Sequence, residues 1–464
     1  VDSLAALEYA CRENRLASLA GFGERTQEKI LEGIEFLRRQ QGRFLLSEAT
    51  ARARRILALL EALPGVSRAA IAGSVRRRSE IVSNLDLVAG AADPPSVAAA
   101  FASSPEAESH LPTAPSEASV RMAGGLAVHL RVVDEAAYPF ALHYFTGSRA
   151  HNTALAARAS SDGFRMTLTA AGLNGPAGSV RCAGEEDLFR ALGLPFIPPE
   201  LREGTGEIDA AESGDLPRLV ERRDLRGIFH VHSTWSDGRG TLEEMVGAAA
   251  EAGYAYVGIS DHSRTAAYAR GLKEPDVARQ REEIEALRPR FPTLHILHGI
   301  ESDILPDGSL DYPDEVLATF DFVIGSVHSG FSMPLADMTR RVVRAVENPF
   351  LTILGHPTGR LLLGRRAFAV DLDAVIAAAA RSGAAIEINA NPHRLDLEPA
   401  RARQARDAGV LIAINPDAHD VAGIGDVEYG VDTARRAWLR PQDVLNTRPW
   451  KEIADARDRR RRRA

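Results

Sequence analysis

The chain has 464 residues, a net charge of −7, and 45% hydrophobic and 26% charged residues. A chain of this length is too long for a single domain with one hydrophobic core, so two to four globular domains are predicted. No run of 18 apolar residues or signal-peptide pattern is present, which argues against a membrane or secreted protein. Only Cys11 and Cys182 occur, so a reducing cytoplasm fits better than a disulfide-bonded environment.

The stretch LASLAGFGERTQEKILEGIEFLRRQ predicts two helices joined by a tight turn at Gly21 and Gly23. Backbone N–H groups at such a turn, where a helix begins, can bind a DNA phosphate without reading sequence. A glycine turn between packed helices is also common, so the alternative is purely structural. Because the whole chain is acidic, any nucleic-acid binding depends on local basic patches.

Short strands are predicted next, after a helical segment that ends near Leu63. SRAAIAGS and NLDLVAG surround an arginine turn, and GGLAVHLRVV is typical of another strand. YFTGSRAHNTALAARA predicts a turn that leads into a helix. Residues 193–225 are rich in Pro, Gly and acidic residues, which is typical of a linker.

The pattern changes after Arg226. Seven short apolar runs are separated by helical stretches: IFHVHST, YVGISDH, HILHGIESD, FVIGSVHS, LTILGHPT, AAIEINA and LIAINPDAH. Such alternation predicts a parallel α/β barrel. The terminal run RDRRRRRA is predicted to be disordered, with a nonspecific phosphate contact as the weaker alternative.

Potential metal ligands follow six of these seven runs, at the ends of strands that form the functional face of an α/β barrel. They are His230, His232, Asp237, His262, Glu301, His328, His356, Asp417 and His419. Mixed imidazole and carboxylate ligands favour Zn, Mn or Fe over Mg or Ca, and nine suffice for two or three divalent ions. The alternative for any single strand-end histidine is a buried polar group with an ordinary hydrogen bond.

Other histidines and two residues of the loops are less informative. His295, His298 and His393 lack a paired partner in sequence and are interpreted as structural or supporting residues. Trp235 and Arg264 fall in loops at the mouth of the predicted barrel, where they could contact substrate or serve as a loop anchor and a solvated charge.

The motifs HVHSTWSDG, GISDH, GIESD, SVHS, GHP and NPDAH resemble the PHP (polymerase and histidinol phosphatase) phosphoesterases over residues 224–440. The resemblance implies a distorted (β/α)7 barrel with a trinuclear metal centre, in which Glu301 bridges two metals. It assigns the ligands as follows: His230, His232 and Asp417 to one metal, His328 and His356 to the second, Asp237, His262 and His419 to the third. A hydroxide held at His230, His232, Glu301 and Asp417 would be the nucleophile, because a bound metal lowers the pKa of water to about 7.

The N-terminal half resembles the palm of the family X DNA polymerases, a nucleotidyltransferase-like fold. The matching motifs are GSVRRRSEIVSNLDL, AVHLRVV and YFTGSRAHN. The resemblance assigns Ser74 and Arg77 to a triphosphate, and the sugar and base to a second set: Tyr144, Phe145, Gly147 and Asn152. The family's N-terminal lyase-type domain has no counterpart in these 464 residues.

Two positions depart from the polymerase pattern. Asn84 stands where the family has an aspartate two residues before Asp86, and His129 stands where it has a third carboxylate. Two-metal nucleotidyl transfer needs anionic oxygens to place Mg²⁺, and imidazole is a poor Mg²⁺ ligand. We therefore expect a vestigial nucleotide site at which neither Mg²⁺ binding nor polymerisation is normal.

These patterns predict a multidomain α+β and α/β protein. Its expected parts are a helix-hairpin-helix segment (1–45), a palm (46–150), a thumb-like subdomain (151–200), a linker (201–225), a PHP barrel (226–450) and a basic tail (451–464). The expected function is hydrolysis of DNA phosphoesters at 3′ ends by a monomer, on gapped or nicked duplex: 3′–5′ exonuclease, 3′-phosphatase or abasic-site cleavage. The alternatives are an active gap-filling polymerase that binds deoxynucleoside triphosphates, a histidinol-phosphate-type phosphatase, and a DNA-binding protein without catalysis.

Overall fold

The computed structural model describes residues 3–13, 15–16, 23–122 and 124–462. These residues form a helical segment, a five-stranded sheet, a small subdomain with a three-stranded sheet, and a seven-stranded barrel. The chain is therefore multidomain, with α+β and α/β parts, as predicted. No helix among the described residues is long and apolar enough to cross a membrane.

Two helices, α1 (Leu4–Arg12) and α2 (Glu24–Arg39), form the N-terminal segment. α2 begins directly after Gly23, where the sequence predicts the start of the second helix of the hairpin. Gly21, the other glycine of the predicted turn, lies outside the described residues. The helix-hairpin-helix and its contact with DNA therefore stay a prediction.

The palm is a five-stranded sheet of order β2-β4-β7-β6-β5, in which β4 and β7 are parallel and the other neighbours antiparallel. Its elements are β1 (Phe44–Leu45), α3 (Leu46–Glu61), β2 (Val66–Ile71), α4 (Gly73–Arg76), β3 (Ile81–Val82), β4 (Asn84–Ala91), α5 (Pro94–Ala102), β5 (Ala107–Leu111), β6 (Glu117–Met122) and β7 (Ala127–Val133). Side chains alternate between the two faces of a strand. Leu85 and Leu87 are fully buried on one face of β4, which turns Asn84 and Asp86 to the other.

A small subdomain follows the palm. It contains α6 (Tyr138–Thr146), α7 (Arg149–Ser160), β8 (Thr167–Thr169), β9 (Gly172–Gly175), β10 (Gly178–Val180), α8 (Glu185–Ala191) and α9 (Glu207–Ser213). The predicted turn in YFTGSRAHN lies at Gly147, whose φ of 69° is in the region that favours glycine. Tyr144 and Phe145, however, belong to the last turn of α6 rather than to the turn itself.

Residues 193–225, predicted to be a linker, are packed against the small subdomain instead. Leu201 and Leu219 are buried in its core, and α9 lies within this stretch. Arg202 is fully buried and its guanidinium lies 2.5 Å from the carboxylate of Glu185. The Pro and Gly residues thus shape turns, while apolar residues between them hold the stretch in place.

The C-terminal half is a parallel barrel of seven strands in sequence order. The strands are β11 (Gly227–Val231), β12 (Tyr256–Ile259), β13 (His295–Asp303), β14 (Phe322–Ser326), β15 (Ile353–Leu354), β16 (Ala385–Asn389) and β17 (Ile412–Asn415), and a parallel bridge between Val231 and Ala418 joins the last strand to the first. The helices are α10 (Leu242–Glu251), α11 (Glu274–Leu287), α12 (Asp314–Leu317), α13 (Leu335–Glu347), α14 (Leu372–Ser382), α15 (Pro399–Asp407), α16 (Val427–Arg436) and α17 (Trp450–Arg461). All seven predicted strands are confirmed.

An apolar plug fills the barrel at the end where the strands begin. Every strand contributes to it: Phe229, Tyr256, Leu297, Phe322, Ile353, Ala385 and Ala413, with Leu445, Trp450 and Ile453 closing the end. Gly299 makes room for this packing, because a Cβ there would lie 2.3 Å from the ring of Phe322. The plug leaves the opposite end, where the strands finish, for polar side chains.

The C-terminal charge run is helical to Arg461, so the prediction of a disordered tail is wrong for the described residues. Arg457 donates to the carbonyl of Asp321 at 2.5 Å, and Arg460 donates to Val346 at 2.6 Å. Guanidinium groups satisfy carbonyls that the ends of the barrel elements leave free. Arg457 and Arg460 therefore attach the C-terminal helix to the barrel. Their acceptors lie more than a hundred residues away in sequence.

The palm rests on the barrel through ionic contacts. Arg360 of the barrel lies 2.7 Å from Glu80, and Arg78 of the palm turn lies 3.5 Å from Asp432 on α16. Tyr429, also on α16, packs against the palm core. The arginine turn of the palm is thus part of the contact between the two domains.

Candidate metal centre and palm cavity

The nine predicted ligands converge at the end of the barrel where the strands finish. Four sets of them bring their ligand atoms within 4.8 Å of one another: His232, Asp237, His262 and His419; His230, His232 and Asp417; His230, Glu301 and His356; His262, Glu301 and His328. Every one of the nine belongs to at least one set. The seven strands thus bring together residues that span 190 positions of sequence, from 230 to 419.

Glu301 lies at the centre of the cluster. Nitrogen atoms of five imidazoles lie 3.0 to 3.6 Å from its two carboxylate oxygens: those of His230, His232, His262, His328 and His356. Asp417 lies 3.4 to 3.6 Å from three imidazoles and Asp237 lies 3.4 to 3.9 Å from three. A buried carboxylate surrounded in this way can bridge more than one cation.

These separations fit divalent metals. Four tetrahedral ligands at Zn–N distances of about 2.0–2.1 Å lie about 3.3–3.4 Å from one another, which is the spacing found here. Both ring nitrogens of His232 and the Oε2 atom of Glu301 are buried without a hydrogen-bond partner in the described part of the chain. Buried polar atoms are normally paired, so these atoms indicate a missing ligand such as a cation.

Ionisation states also suit metal binding. Burial lowers the pKa of His232 to about 3 and that of His356 to about 4, so both rings are neutral at pH 7 and offer a lone pair. Burial alone would raise the pKa of Glu301, but the surrounding imidazoles outweigh it and hold that pKa well below its ordinary value. Nearby carboxylates outweigh burial at other imidazoles: they hold the pKa of His230 well above its ordinary value and raise those of His262 and His419 to about 10 and about 9. The centre therefore combines neutral and protonated imidazoles around anionic carboxylates, and binding of a cation would release the protons of the latter imidazoles.

Three of the ligands have an unusual backbone. The φ angles of His230, His356 and Asp417 are 60°, 22° and 52°, in the left-handed region that side chains other than glycine rarely adopt. Such a conformation costs on the order of 1–3 kcal/mol per residue and persists where the surrounding structure requires it. The register shift between Ile228 and Val231 in β11 accompanies this turn at His230. The strand ends are thus shaped to direct ligands at one point.

Sequence reasoning missed Glu387, which lies on the sixth strand and is fully buried. His230 Nδ1 lies 2.7 Å from its Oε1 atom, and the backbone N–H of His356 donates to its Oε2 atom at 2.7 Å. Glu387 therefore orients two ligands, and a proton on His230 Nδ1 leaves the Nε2 lone pair facing Glu301. The only signal in sequence was a charged residue inside the buried strand AIEIN.

Two further buried carboxylates support the centre and were also missed. Asp303 lies 2.6 Å from His328 Nδ1 and accepts a hydrogen bond from Thr265 at 2.9 Å. Asp261 accepts hydrogen bonds from the backbone and hydroxyl groups of Ser233 and Ser236. It thereby holds the loop that carries Asp237. Asp261 directly precedes His262 in the motif GISDH, and Asp303 follows Glu301 by two residues in GIESD. Their supporting role is visible only in the geometry of the loops.

The predicted assignment of ligands to individual metals stays a prediction, and the ligand groups overlap. His356 groups with His230 and Glu301, whereas His328 groups with His262 and Glu301. The two rings predicted to share a metal are 5.1 Å apart between centroids, and both approach the same Oε1 atom of Glu301, at 3.3 and 3.0 Å. The trinuclear arrangement itself stays a prediction.

The remaining candidates of the barrel have other surroundings. His298 is buried and its ring bonds to Gln280 and Arg281, which suits a structural residue, while His295 and His393 are exposed. The indole N–H of Trp235 donates to a glutamate at 2.8 Å, and Arg264 forms two ion pairs. Trp235 and Arg264 are therefore anchored within their loops.

We expect Glu387→Gln to weaken metal binding and hydrolysis by about 10–100-fold, the usual cost of losing a residue that orients metal ligands. Both oxygens of Glu387 face N–H groups, of His230 and of His356. The NH₂ group of a glutamine would face one of these donors and lose that hydrogen bond. Metal titration and a hydrolysis assay on one preparation measure both effects. Glu251→Gln, an exposed glutamate at the end of α10, is the matched control. Unchanged metal affinity in Glu387→Gln would contradict the assignment.

The palm carries a separate open cavity of about 850 Å³. All seven residues predicted for nucleotide binding line it: Ser74, Arg77, Asp86, Tyr144, Phe145, Gly147 and Asn152. Asn152 donates a hydrogen bond to the carbonyl of Tyr144 at 2.7 Å, which fixes the turn between α6 and α7. Gly73 permits close packing at the floor, because a Cβ there would lie 2.2 Å from Asp86 Oδ2.

The neighbours of Asp86 on β4 and β7 are an amide and an imidazole. The side-chain amide of Asn84 donates to Asp86 Oδ2 at 2.8 Å, and His129 stands opposite Asp86 in the parallel register of β4 and β7. His129 Nδ1 pairs with the hydroxyl of Ser119 at 2.8 Å. Burial raises the pKa of Asp86, so this site favours its charge less than open solvent does. Among the described residues, Asn84 and His129 thus place an amide and an imidazole near Asp86, and the loss of normal Mg²⁺ binding stays a prediction.

The arginines of the palm turn are held by partners. Arg77 lies 3.0 Å from Glu203 and donates to the carbonyl of Thr146 at 2.5 Å. Glu203 also lies 3.5 Å from Arg436 of α16. A phosphate that binds Arg77 would have to share it with Glu203, so the predicted triphosphate contact stays a prediction.

Comparisons with known proteins agree with this architecture. The family described as the DNA polymerase beta thumb matches residues 141–203, and the PHP domain family matches residues 229–391. The DNA polymerase/3′-5′ exonuclease PolX of Bacillus subtilis (strain 168) is 36% identical over 455 residues, which cover 98% of this chain and 80% of that protein.

Shorter relatives match a smaller part. A probable phosphatase of Thermoanaerobacter sp. (strain X514) is 30% identical over 217 residues, covering 42% of this chain and 86% of that protein. A probable phosphatase of Acetivibrio thermocellus is 29% identical over 227 residues, covering 47% and 89%. The long match spans palm, small subdomain and barrel together, and the barrel has the predicted distorted (β/α)7 form. The chain therefore belongs to the family X DNA polymerases that carry a PHP domain, the PolX family.

Proposed function

We propose that the protein removes nucleotides from DNA 3′ ends by hydrolysis at the PHP centre, while the palm positions DNA without normal polymerisation. The observation that carries the proposal is the cluster around Glu301, in which five imidazoles lie 3.0 to 3.6 Å from one carboxylate. The relative named DNA polymerase/3′-5′ exonuclease PolX supports DNA as the substrate. 3′-Phosphatase and abasic-site cleavage are phosphoester hydrolyses of the same kind and belong to the proposal.

Two or three divalent metals (Zn, Mn or Fe) bound by the nine ligands would supply a water of lowered pKa and compensate charge on the phosphate. The chain's own residues orient the centre: Glu387 accepts a hydrogen bond from the Nδ1–H group of His230, and Asp303 accepts one from that of His328. Hydrolysis adds water to phosphorus and breaks the P–O3′ bond, and the 3′ oxygen leaves with a proton. The products are a nucleoside monophosphate and a strand one unit shorter.

Access to the centre is from one side. His419 and Asp237 keep 36% and 33% of their side chains exposed, whereas His230 and Glu301 are buried. A strand end can therefore approach over the ligand set that contains His419. The proposed substrates are 3′ ends in gapped or nicked duplex, and the protein acts as a monomer.

The test is incubation of the full chain with Mn²⁺ and a 3′-recessed duplex labelled on its 5′ end. Stepwise shortening is expected from the wild-type protein and none from His230→Ala. No shortening by the wild type, or equal shortening by His230→Ala, would refute the proposal. Metal content is measured on the same samples, so that an empty preparation is recognised.

Two other functions have some support. The palm cavity retains all seven predicted lining residues, which favours nucleotide binding and a gap-filling polymerase. The probable phosphatases among the relatives favour a small-molecule phosphatase of the histidinol-phosphate type. Extension of a one-nucleotide gap would support the first. Hydrolysis of histidinol phosphate much faster than hydrolysis of DNA ends would support the second.

A further inference from the structure

We propose that Tyr268 and Arg394 form a binding site for the terminal nucleoside of a DNA 3′ end, unpaired as it enters the centre, with Tyr268 stacking on the base and Arg394 contacting the phosphodiester. This inference rests on the proposed function and names the part of the substrate that the PHP centre recognises. It also separates strand ends from small phosphomonoesters, which have no base to stack.

Tyr268 lies in the loop after β12, on a short 3-10 helix over Ala267–Ala269. Its ring centroid is 6.0 Å from that of His262 and 6.3 Å from that of His328, so it stands beside two metal ligands. It is 69% exposed, the largest value for a large hydrophobic side chain in the described part of the chain. An open aromatic face is therefore available next to the reacting phosphate.

The surroundings do not explain Tyr268 as a loop anchor. Its hydroxyl forms no hydrogen bond with any residue that the structure describes. Trp235, in the neighbouring mouth loop, is held by its indole N–H at 2.8 Å from Glu283 and by Arg279 over its ring. Of these two aromatic residues, only Tyr268 has its polar end and ring free for a ligand.

Arg394 supplies a positive charge at the mouth. Its Nε atom lies 3.3 Å from Asp417 Oδ2, and the side chain is 21% exposed. Its two terminal nitrogens make no hydrogen bond within the described residues, so they remain available to phosphate oxygens. Asp417 lies 3.4 Å from His232, whose ring centroid is 4.6 Å from that of His262, the neighbour of Tyr268. Arg394 and Tyr268 therefore border the same ligand cluster.

An aromatic face beside a guanidinium group is the combination that binds single-stranded nucleic acids. Stacking is tolerant of sequence because every base has a π face. The metal centre would hold the phosphate to be cleaved, and the base of the terminal nucleoside would reach Tyr268 one sugar away. We therefore expect little preference among the four bases at the 3′ end, and a clear preference for any base over none.

The test compares two oligonucleotides of one sequence, ending at the 3′ side in thymidine or in an abasic tetrahydrofuran unit, with glycerol phosphate as a small substrate without a ring. Stacking of one base contributes about 1–3 kcal/mol, so Tyr268→Ala should lower kcat/KM on the thymidine end by about 5–150-fold. The loss should be confined to the thymidine end, because neither the abasic end nor glycerol phosphate has a ring to stack.

Two matched variants separate stacking from bulk. Tyr268→Phe keeps the ring and should retain wild-type kcat/KM on the thymidine end, whereas Tyr268→Leu should behave as Tyr268→Ala. The inference would be overturned if Tyr268→Ala kept wild-type kcat/KM on the thymidine end, or if it lost the same factor on both oligonucleotides. In either case shortening by the wild type would still uphold the proposed function. If the wild type hydrolyses glycerol phosphate but shortens neither oligonucleotide, both proposals are refuted.

Discussion

Replacement of Glu301 by glutamine is expected to lower hydrolysis of 3′-recessed DNA by at least about 10³-fold, because metal-based charge stabilisation supplies several kcal/mol. The substitution keeps the size of the side chain and removes its charge. It does so at the one carboxylate that five imidazoles approach to 3.6 Å or less. An amide offers a single good ligand oxygen, so it cannot bridge two cations.

Metal binding gives a second readout of the same variant. A ligand that binds only the folded protein stabilises it by about 2.7 kcal/mol when present at 100 times its Kd. The wild-type protein should therefore melt at a higher temperature with Mn²⁺ than with a chelator, and Glu301→Gln should lose most of that difference. Glu315→Gln, an exposed glutamate on α12, is the control. Full metal content and full activity in Glu301→Gln would contradict the central role of Glu301.

The convergence of the nine candidate ligands was predictable from sequence because they lie at the ends of recognisable strands. In a parallel barrel all strands end at one face, so His262 and Glu301 must meet once their strands are identified. Glu387 could not be found in this way. It is a lone charged residue within a short apolar strand, and its purpose appears only when β16 is placed between the strands that carry His356 and Asp417.

The basic tail is a segment whose structure could not be predicted from its own sequence. A terminal run of arginines is typical of disorder, since composition alone offers no acceptors for its charges. The acceptors are backbone carbonyls such as those of Asp321 and Val346, which the barrel presents at the end opposite the metal centre. Local sequence around Arg457 contains no trace of them. The same holds for residues 193–225, whose buried leucines needed the small subdomain to pack against.

The arginine turn of the palm was predictable from sequence in one of its roles and not in the other. Its sequence predicts phosphate binding, and Arg77 does line the palm cavity. The structure adds that Arg78 pairs with Asp432 of the barrel, and that Arg77 and Arg436 share Glu203. Charge at the nucleotide side of the palm and charge on α16 are therefore linked through one carboxylate. The turn also joins the two domains, so its presence does not by itself require polymerisation.

Restoring two carboxylates, by Asn84→Asp together with His129→Asp, is expected to create or raise gap-filling synthesis by about 10²–10⁴-fold over the wild type. Metal-ion stabilisation of several kcal/mol corresponds to that range. In the wild type Asn84 donates to Asp86 and so occupies an oxygen that Mg²⁺ would need. His129 already stands opposite Asp86 in the register of β4 and β7, so an aspartate there would complete a set of three.

Extension of a labelled primer across a one-nucleotide gap, with Mg²⁺ and all four nucleotides, measures this gain. Each single variant should give much less than the pair, because groups that hold one metal site act together. Asp86→Ala in the doubly substituted protein should remove the new activity, and undiminished 3′ hydrolysis would show that each variant is folded. If the wild type extends as fast as the double variant, and Asp86→Ala abolishes that extension, then Asn84 and His129 are compatible with polymerisation and the palm is an active polymerase site.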